Sequence, residues 1–501
     1  MKRATLDEAD FVIVGTGAGG ATAARVLAAA GHSVVMLEEG ARLNTSERPR
    51  DAGGALAQAM RDGGSQVAFG SAPMPLLQGR CVGGSTAINS GIIWRMPDDV
   101  VEDWSSRFGL GHLVDPAVTD PIYDRIEEEL EVTPTGDEVL GGNAKAMARG
   151  AEALGLPGAP MRRNAGRCRG SGECLQGCPG ERRQSMDVSY IPRALADGAR
   201  LHTHARVERV LVERGRAVGV RGRRLDASTG RSRATFEVRA RRGVVLAAGV
   251  VHTPLILLRS HVAGPVGLHF QCHPGAAMLG RFDTPIRMSF GATQGYEVPM
   301  RARGYKLESL SLPPEMLAAR IPGTGAEWQE RIAALDHYAQ WAAQSRFEAQ
   351  GRVRLGFGGT PWVNYEPTEH DIAQLKEGLV LLARMMFEAG AREVYPGIGH
   401  VPEVLHGPDD VRLLEAAATT RPDLHLMASH LFGTARAGVD ASDSVVGPNL
   451  EAHGTRGLFV MDASIFPTNL GVNPQHSIMA VVWRAAAELA AEDAGRVARA
   501  G

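Results

Sequence analysis

Residues 10–40, "DFVIVGTGAGGATAARVLAAAGHSVVMLEEG", limit the fold more than any other stretch of the chain. The apolar run "FVIV" suits a strand buried on both faces, and it passes straight into glycines. Gly15, Gly17 and Gly20 have the spacing G-x-G-x-x-G, and an Ala-rich segment of helical character follows them. A second apolar run, "SVVML", ends at Glu38, 18 residues after Gly20. Strand, tight turn, helix and strand make the start of a βαβ unit. In such a unit the first glycine permits the turn, and the second lets backbone approach a pyrophosphate. The third packs helix on strand, while the helix N-terminus favours the phosphate charge. An acid at Glu38 is placed to accept hydrogen bonds from ribose hydroxyls. The pattern predicts a dinucleotide site and does not separate NAD from FAD.

A chain of 501 residues needs two domains, or one domain with a large insertion. Its 44% apolar and 22% charged content is that of a globular protein. A net charge of −2, with acids and bases interspersed, excludes nucleic acid or an anionic membrane as the main partner. Seven Tyr and six Trp are too few for a base-stacking platform. No apolar run reaches the length of a membrane span. The opening "MKRATLDEADF" lacks the features of a signal peptide, so a cytoplasmic location and reduced cysteines are expected.

Beyond residue 40 the pattern alternates. "DPAVTDPIYDRIEEELEV" predicts an acidic helix with Pro in its first turn. Residues 160–185 form a Gly/Cys/Arg loop, and 199–222 read as strands. "GVVLAAGVVHTPLILLRS" supplies a buried strand, a glycine turn and a helix. The stretch 266–429 is mixed, with a strand candidate "GRVRLGF" and a long helix "DIAQLKEGLVLLARMMFEAG". "GLFVMDASIFPTN" and the segment after it close the chain with strand, loop and helix.

One stretch resists this scheme. "GRCVGGSTAINSG", residues 79–91, is too rich in glycine and small hydroxyl residues for a good helix or strand. Here the chain resembles the glucose–methanol–choline (GMC) family of FAD-dependent oxidoreductases, in which such a loop lies along the flavin. The resemblance continues at "VVLAAGVVHTPLILLRS", around Gly249 and Pro254. It closes at "SHLFGTARAG" and "LFVMDASIFPTNLGVNPQHSIMA", so the motifs span nearly the whole chain in family order. Only 266–429, where family members vary, matches loosely.

The resemblance implies an α/β fold with a discontinuous Rossmann-like FAD-binding domain, formed by residues 1–95, 188–265 and 430–501. A substrate-binding domain, an antiparallel sheet covered by helices, would take residues 96–187 and 266–429. Gly83, Gly84, Ser85 and Asn89 would contact the diphosphate and flavin ring. Val207 would offer its backbone to adenine, and Asp462 would hold the ribityl or pyrophosphate region. Ile88 stands where some members carry a histidine that bonds covalently to flavin, so non-covalent FAD is expected. Asn473 would also lie beside the cofactor.

The implied reaction oxidises an alcohol CH–OH group to an aldehyde or ketone. His430 matches the family's catalytic histidine and would take the hydroxyl proton while hydride passes to flavin N5. Asn473 matches its partner and would donate a hydrogen bond to the substrate oxygen. Oxygen or another electron acceptor would complete the cycle. Likeness to sterol- and long-chain-alcohol-oxidising members tilts the expected substrate towards a large or apolar alcohol. A lyase or photodecarboxylase on the same fold is the alternative, as is an electron-transferring dehydrogenase.

Three side chains fall outside this scheme. Cys168, Cys174 and Cys178 have the gaps of some family relatives that carry an iron–sulfur cluster, but packing thiols or a loop disulfide is the leading expectation. Zinc would need a fourth ligand, and none lies nearby in sequence. Cys81 is expected as a small packed side chain beside the cofactor. Cys272 and His273 are expected to be structural, and His476 is a minor candidate for the second polar partner.

Overall fold

The computed structural model describes residues 5–500. Its first sheet is organised by β1 (Thr5–Val14), whose residues 11–14 are all at most 4% exposed. Burying each such side chain contributes about 1.5–3 kcal/mol, which places the run in the middle of a sheet. After β1 the chain forms α1 (Ala18–Ala29) and β2 (Val34–Leu37), the βαβ start expected from the sequence. The sheet is completed by β3 (Arg200–His202), β4 (Ala205–Glu213), β5 (Arg216–Leu225) and β6 (Ser232–Leu246), in the order β3–β2–β1–β6–β5–β4. β6 works twice. Its first half pairs antiparallel with β5, and its last residues pair in parallel with the strand Leu458–Val460. The helix α2 (Gly249–Arg259) leaves the end of β6.

The second sheet is antiparallel and uses β7 (Gln271–Phe282), β8 (Tyr296–Met300), β9 (Tyr305–Ser309) and β10 (Tyr338–Ser345). The helix α3 (Glu369–Glu388) then leads to β11 (Ala391–Tyr395) and β12 (Met427–Phe432). The order is β11–β7–β10–β9–β8, followed by the short strand Ala159–Pro160. β7 also forks, pairing with β12 at its start and β11 at its end. Helix α3 and the helix Asp137–Ala153 pack over β10, so this sheet has one covered face. The closing helix α4 (Gln475–Ala500) packs on α1 and on the acidic helix Pro116–Glu129.

Every strand of the first sheet comes from the segments 1–95, 188–265 and 430–501. β12 straddles a boundary drawn at 430. It pairs with β7, so His430 is presented by the second sheet. No helix among the described residues is long and apolar enough to cross a membrane.

Candidate active site

The C-terminal ends of β1, β2, β6 and the strand Leu458–Val460 converge, as ligand crevices in parallel α/β sheets do. Gly15, Glu38, Ala248 and Asp462, which follow these four strands, line one cavity of about 980 Å³. The same cavity runs on to β7, β10 and β12, where His273, Gln340 and His430 line it.

The crevice end is built largely of backbone. Gly15 has φ +96°, and a Cβ there would strike the carbonyl of Ala247. A Cβ on Gly17 would meet nothing within 4 Å. Gly17 also caps α1 without a side-chain bond, leaving the first-turn N–H groups for a phosphate. The loop at 79–91 lies directly against this turn, since a Cβ on Gly84 would come within 3.0 Å of Gly17 Cα. Ser85 Oγ accepts from the Gly79 N–H at 3.1 Å. Asn89 is fixed at both ends: Nδ2 donates to Gln475 Oε1 at 2.7 Å, and Oδ1 accepts from the Gly91 N–H at 3.0 Å.

Glu38 closes β2 as expected. Burial raises its pKa, and its carboxylate accepts from Thr16 Oγ1 at 2.6 Å and the Gly40 N–H at 2.9 Å. Val207 lies on β4, and Gly20 on the first turn of α1. Val207 lines the cavity, while a Cβ on Gly20 would strike the carbonyl of Gly15. Asp462 is a brace. It accepts from the Gly249 N–H at 2.9 Å, Thr253 Oγ1 at 2.6 Å and the Ser464 N–H at 2.8 Å, tying α2 to the last strand.

Three arginines clasp the loop from behind. Arg48 Nη1 and Arg183 Nη2 donate to the carbonyl of Ala87 at 3.1 and 2.7 Å, and Arg163 Nε donates to that of Ser90 at 2.8 Å. Arg183 Nη1 also donates to the carbonyl of Asn89.

At the other end, His430 and Asn473 meet, with Asn473 Nδ2 3.4 Å from His430 Nε2. Burial pushes the His430 pKa down to about 3, and the nearby Lys306 ammonium adds to this, so the imidazole is neutral and has a free lone pair. Lys306 is fully buried. It donates to Asn473 Oδ1 at 2.5 Å and to Glu297 Oε2 at 3.0 Å, and it pairs with Glu308. Burial works against the ammonium, but the two carboxylates outweigh it and raise the Lys306 pKa. Trp94 Nε1 donates to Glu297 at 3.1 Å, and Gln294 Nε2 donates to Glu308 at 2.7 Å, so the buried charges are enclosed in hydrogen bonds.

His273, expected to be structural, instead has Nδ1 3.2 Å from Nδ1 of His430 and lines the cavity. Nothing local in "FQCHPG" marks it, and only the β7–β12 pairing brings it beside His430. Lys306 was missed for the same reason, as a lone lysine on a strand carries no local signal. His476 lies elsewhere: its Nε2 is 3.3 Å from Glu127 Oε1 and its ring packs on Tyr123. Cys272 and Cys81 are buried, and burial pushes the Cys81 thiol up to about 12.

The cysteine loop forms no disulfide. Among the described residues no group of His, Cys, Asp or Glu is placed to hold a metal ion. The physical reason is a guanidinium. Arg163 Nη2 donates to Cys174 Sγ at 3.2 Å and Nη1 to Cys168 Sγ at 3.9 Å, so one arginine spans two of the sulfurs. Cys178 Sγ accepts separately from the Arg182 N–H at 3.3 Å. The arrangement does not fit an iron–sulfur cluster.

The family model of GMC oxidoreductases matches this chain twice, its N-terminal part over residues 9–275 and its C-terminal part over residues 348–481. The chain belongs to the GMC oxidoreductase family. Among its relatives, an uncharacterized GMC-type oxidoreductase of Mycobacterium tuberculosis is 38% identical, over 98% of this chain and 77% of that one. A long-chain-alcohol oxidase of Arabidopsis thaliana is 24% identical over 95% of this chain and 68% of its own. The fold is shared with formate oxidase, at TM-score 0.71 and 18% identity, covering 98% of this chain and 99% of that one. GMC oxidoreductases bind FAD, and the crevice fits it, with glycine backbone for the diphosphate and a buried acid at the end of β2.

Proposed function

We propose that this GMC oxidoreductase oxidises the CH–OH group of an alcohol to an aldehyde or ketone, with His430 as the base. The observation that carries the reading is a half-buried, neutral His430 whose Nε2 faces the amide of Asn473 on the wall of the FAD-fitting cavity. FAD, when bound, supplies the acceptor for the carbinol hydride and its electron pair. His430 Nε2 takes the hydroxyl proton as that O–H bond breaks. Asn473 Nδ2 donates to the oxygen on which negative charge develops, and the buried Lys306 ammonium behind Asn473 favours the same charge. Oxygen or another electron acceptor would complete the cycle.

Gly83, Gly84, Ser85, Asn89, Val207 and Asp462 serve the cofactor in this reading, with Asp462 also tying α2 to the last strand. Ile88 stands in place of a flavin-bonding histidine and supports non-covalent FAD. The wall beyond His430 mixes Gln294, Gln340, Gln344 and Ser429 with Leu310 and Met316. This suits an alcohol bearing hydrogen-bonding groups as well as an apolar face, more than a purely aliphatic one. Anaerobic flavin bleaching with 1-octanol, benzyl alcohol, glycerol and glucosamine tests both points. Bleaching by at least one alcohol is expected, and bleaching by none would remove the reading.

A further inference from the structure

A base must present a lone pair where the substrate arrives, and an imidazole has two nitrogens between which its proton can choose. We propose that His273 is the positioning residue for His430, accepting a hydrogen bond from its Nδ1–H and so holding Nε2 free as the base. The proposal rests on the reading of His430 as the base, and it adds a side chain from a different strand.

An ammonium only donates, so the atom of Asn473 that lies 2.5 Å from Lys306 Nζ is the amide oxygen. The other end of that amide, Nδ2, also only donates, and it faces His430 Nε2 at 3.4 Å. Nε2 must therefore carry the lone pair. His430 is neutral, so its single ring proton lies on Nδ1. That N–H faces Nδ1 of His273 at 3.2 Å, with the rings inclined by 32° and their centroids 5.4 Å apart. Two N–H groups would repel there, and two lone pairs would leave a buried contact without a proton. One proton between the two nitrogens is the arrangement that satisfies both, which puts the proton of His273 on Nε2. That Nε2 is buried and has no hydrogen-bond partner among the described residues.

The chain of donors thus runs in one direction, from Lys306 through Asn473 and His430 to His273. When the substrate O–H bond breaks and the Nε2–H bond forms, the Nδ1 proton stays on His430. Its hydrogen bond to His273 becomes charge-assisted and strengthens. A neutral acceptor stabilises the imidazolium less than a carboxylate would, so His430 gives its proton up readily afterwards.

The test uses the FAD-loaded enzyme with ¹⁵N-labelled histidine, and two-bond ¹H–¹⁵N correlations to read each tautomer. The variants His430→Ala and His273→Leu assign the signals. We expect the Nδ1–H form for His430 and the Nε2–H form for His273; an Nε2–H form for His430 in the wild type would overturn the proposal. In anaerobic bleaching, with whichever alcohol of the panel above acts fastest, His273→Leu should keep its FAD and slow by roughly tenfold. This is less than the ~10²–10⁴-fold that a base itself supplies. His273→Asn, which keeps an acceptor at the position of Nδ1, should recover most of that rate. Wild-type bleaching by His273→Leu, beside an inactive His430→Ala, would sink this proposal alone. Wild-type bleaching by His430→Ala would sink the base and its positioning residue together. Should the Leu variant fail to fold, the wild-type tautomers and the Asn variant still decide.

Discussion

The two ends of the cavity are made in different ways. The crevice end is largely backbone: two glycine segments laid on each other, a helix N-terminus, and strand ends that carry two acids, Glu38 and Asp462. The far end is side chains, with Lys306, Asn473, His430 and His273 arriving from four separated segments and touching only through tertiary structure. Backbone recognition tolerates little change at a few positions. A side-chain network fails in proportion to which member is lost.

The largest expected effect breaks the side-chain end. Lys306→Met leaves Glu297 and Glu308 buried without their cation and should cost about 3–5 kcal/mol in urea unfolding. Replacing Glu308 by Leu as well should return part of that loss. Gly15→Val attacks the backbone end. A left-handed φ costs an L-residue about 1–2 kcal/mol, and the side chain would also strike Ala247. The protein should purify with FAD content lowered in step, about tenfold in affinity for each 1.4 kcal/mol. If the glycine variant keeps its FAD while the lysine variant is fully stable, the contrast between the two ends is wrong.

Acid should separate the ends more gently. Burial holds the pKa of both His430 and His273 below the value of about 6.5 found in an unfolded chain. Between 6.5 and the folded pKa, the unfolded chain binds protons that the native protein does not. Their contribution is therefore complete above pH 6.5 and is lost as pH falls towards about 3, the His430 value. Each histidine adds about 1.4 kcal/mol per pH unit to that loss. Urea midpoints at pH 7.5 and 5.5 should show it, with a shallower slope in His273→Leu. The smallest effect belongs to the cysteine loop. Although burial opposes ionisation, Arg163 and Arg183 lower the Cys174 pKa. Cys174→Ser keeps a hydrogen-bond acceptor for Arg163, so it should change stability by under about 1 kcal/mol and leave FAD content intact. Iron in the purified wild type would contradict the guanidinium-filled loop.

The same contrast explains what could be read from the sequence. The crevice was legible because each part is local: Gly15, Gly17, Gly20 and Glu38 fall within one βαβ unit, and Gly83 to Asn89 within one loop. His430 and Asn473 were legible through family motifs. His273 and Lys306 were not, since nothing near them in sequence distinguishes a core histidine or a strand lysine from its neighbours. Their roles arise where β7 pairs with β12 and where β9 turns its lysine towards Asn473. Arg48, Arg163 and Arg183 were hidden in the same way, because what they bind is the backbone of a loop distant in sequence.

The central claim is that His430 takes the substrate proton while the crevice holds FAD independently of it. It is tested most directly by anaerobic stopped-flow bleaching of wild type and His430→Ala at equal FAD content. An unchanged flavin spectrum is expected, with a rate lowered by roughly 10²–10⁴-fold. An alanine variant that bleaches at the wild-type rate would contradict it.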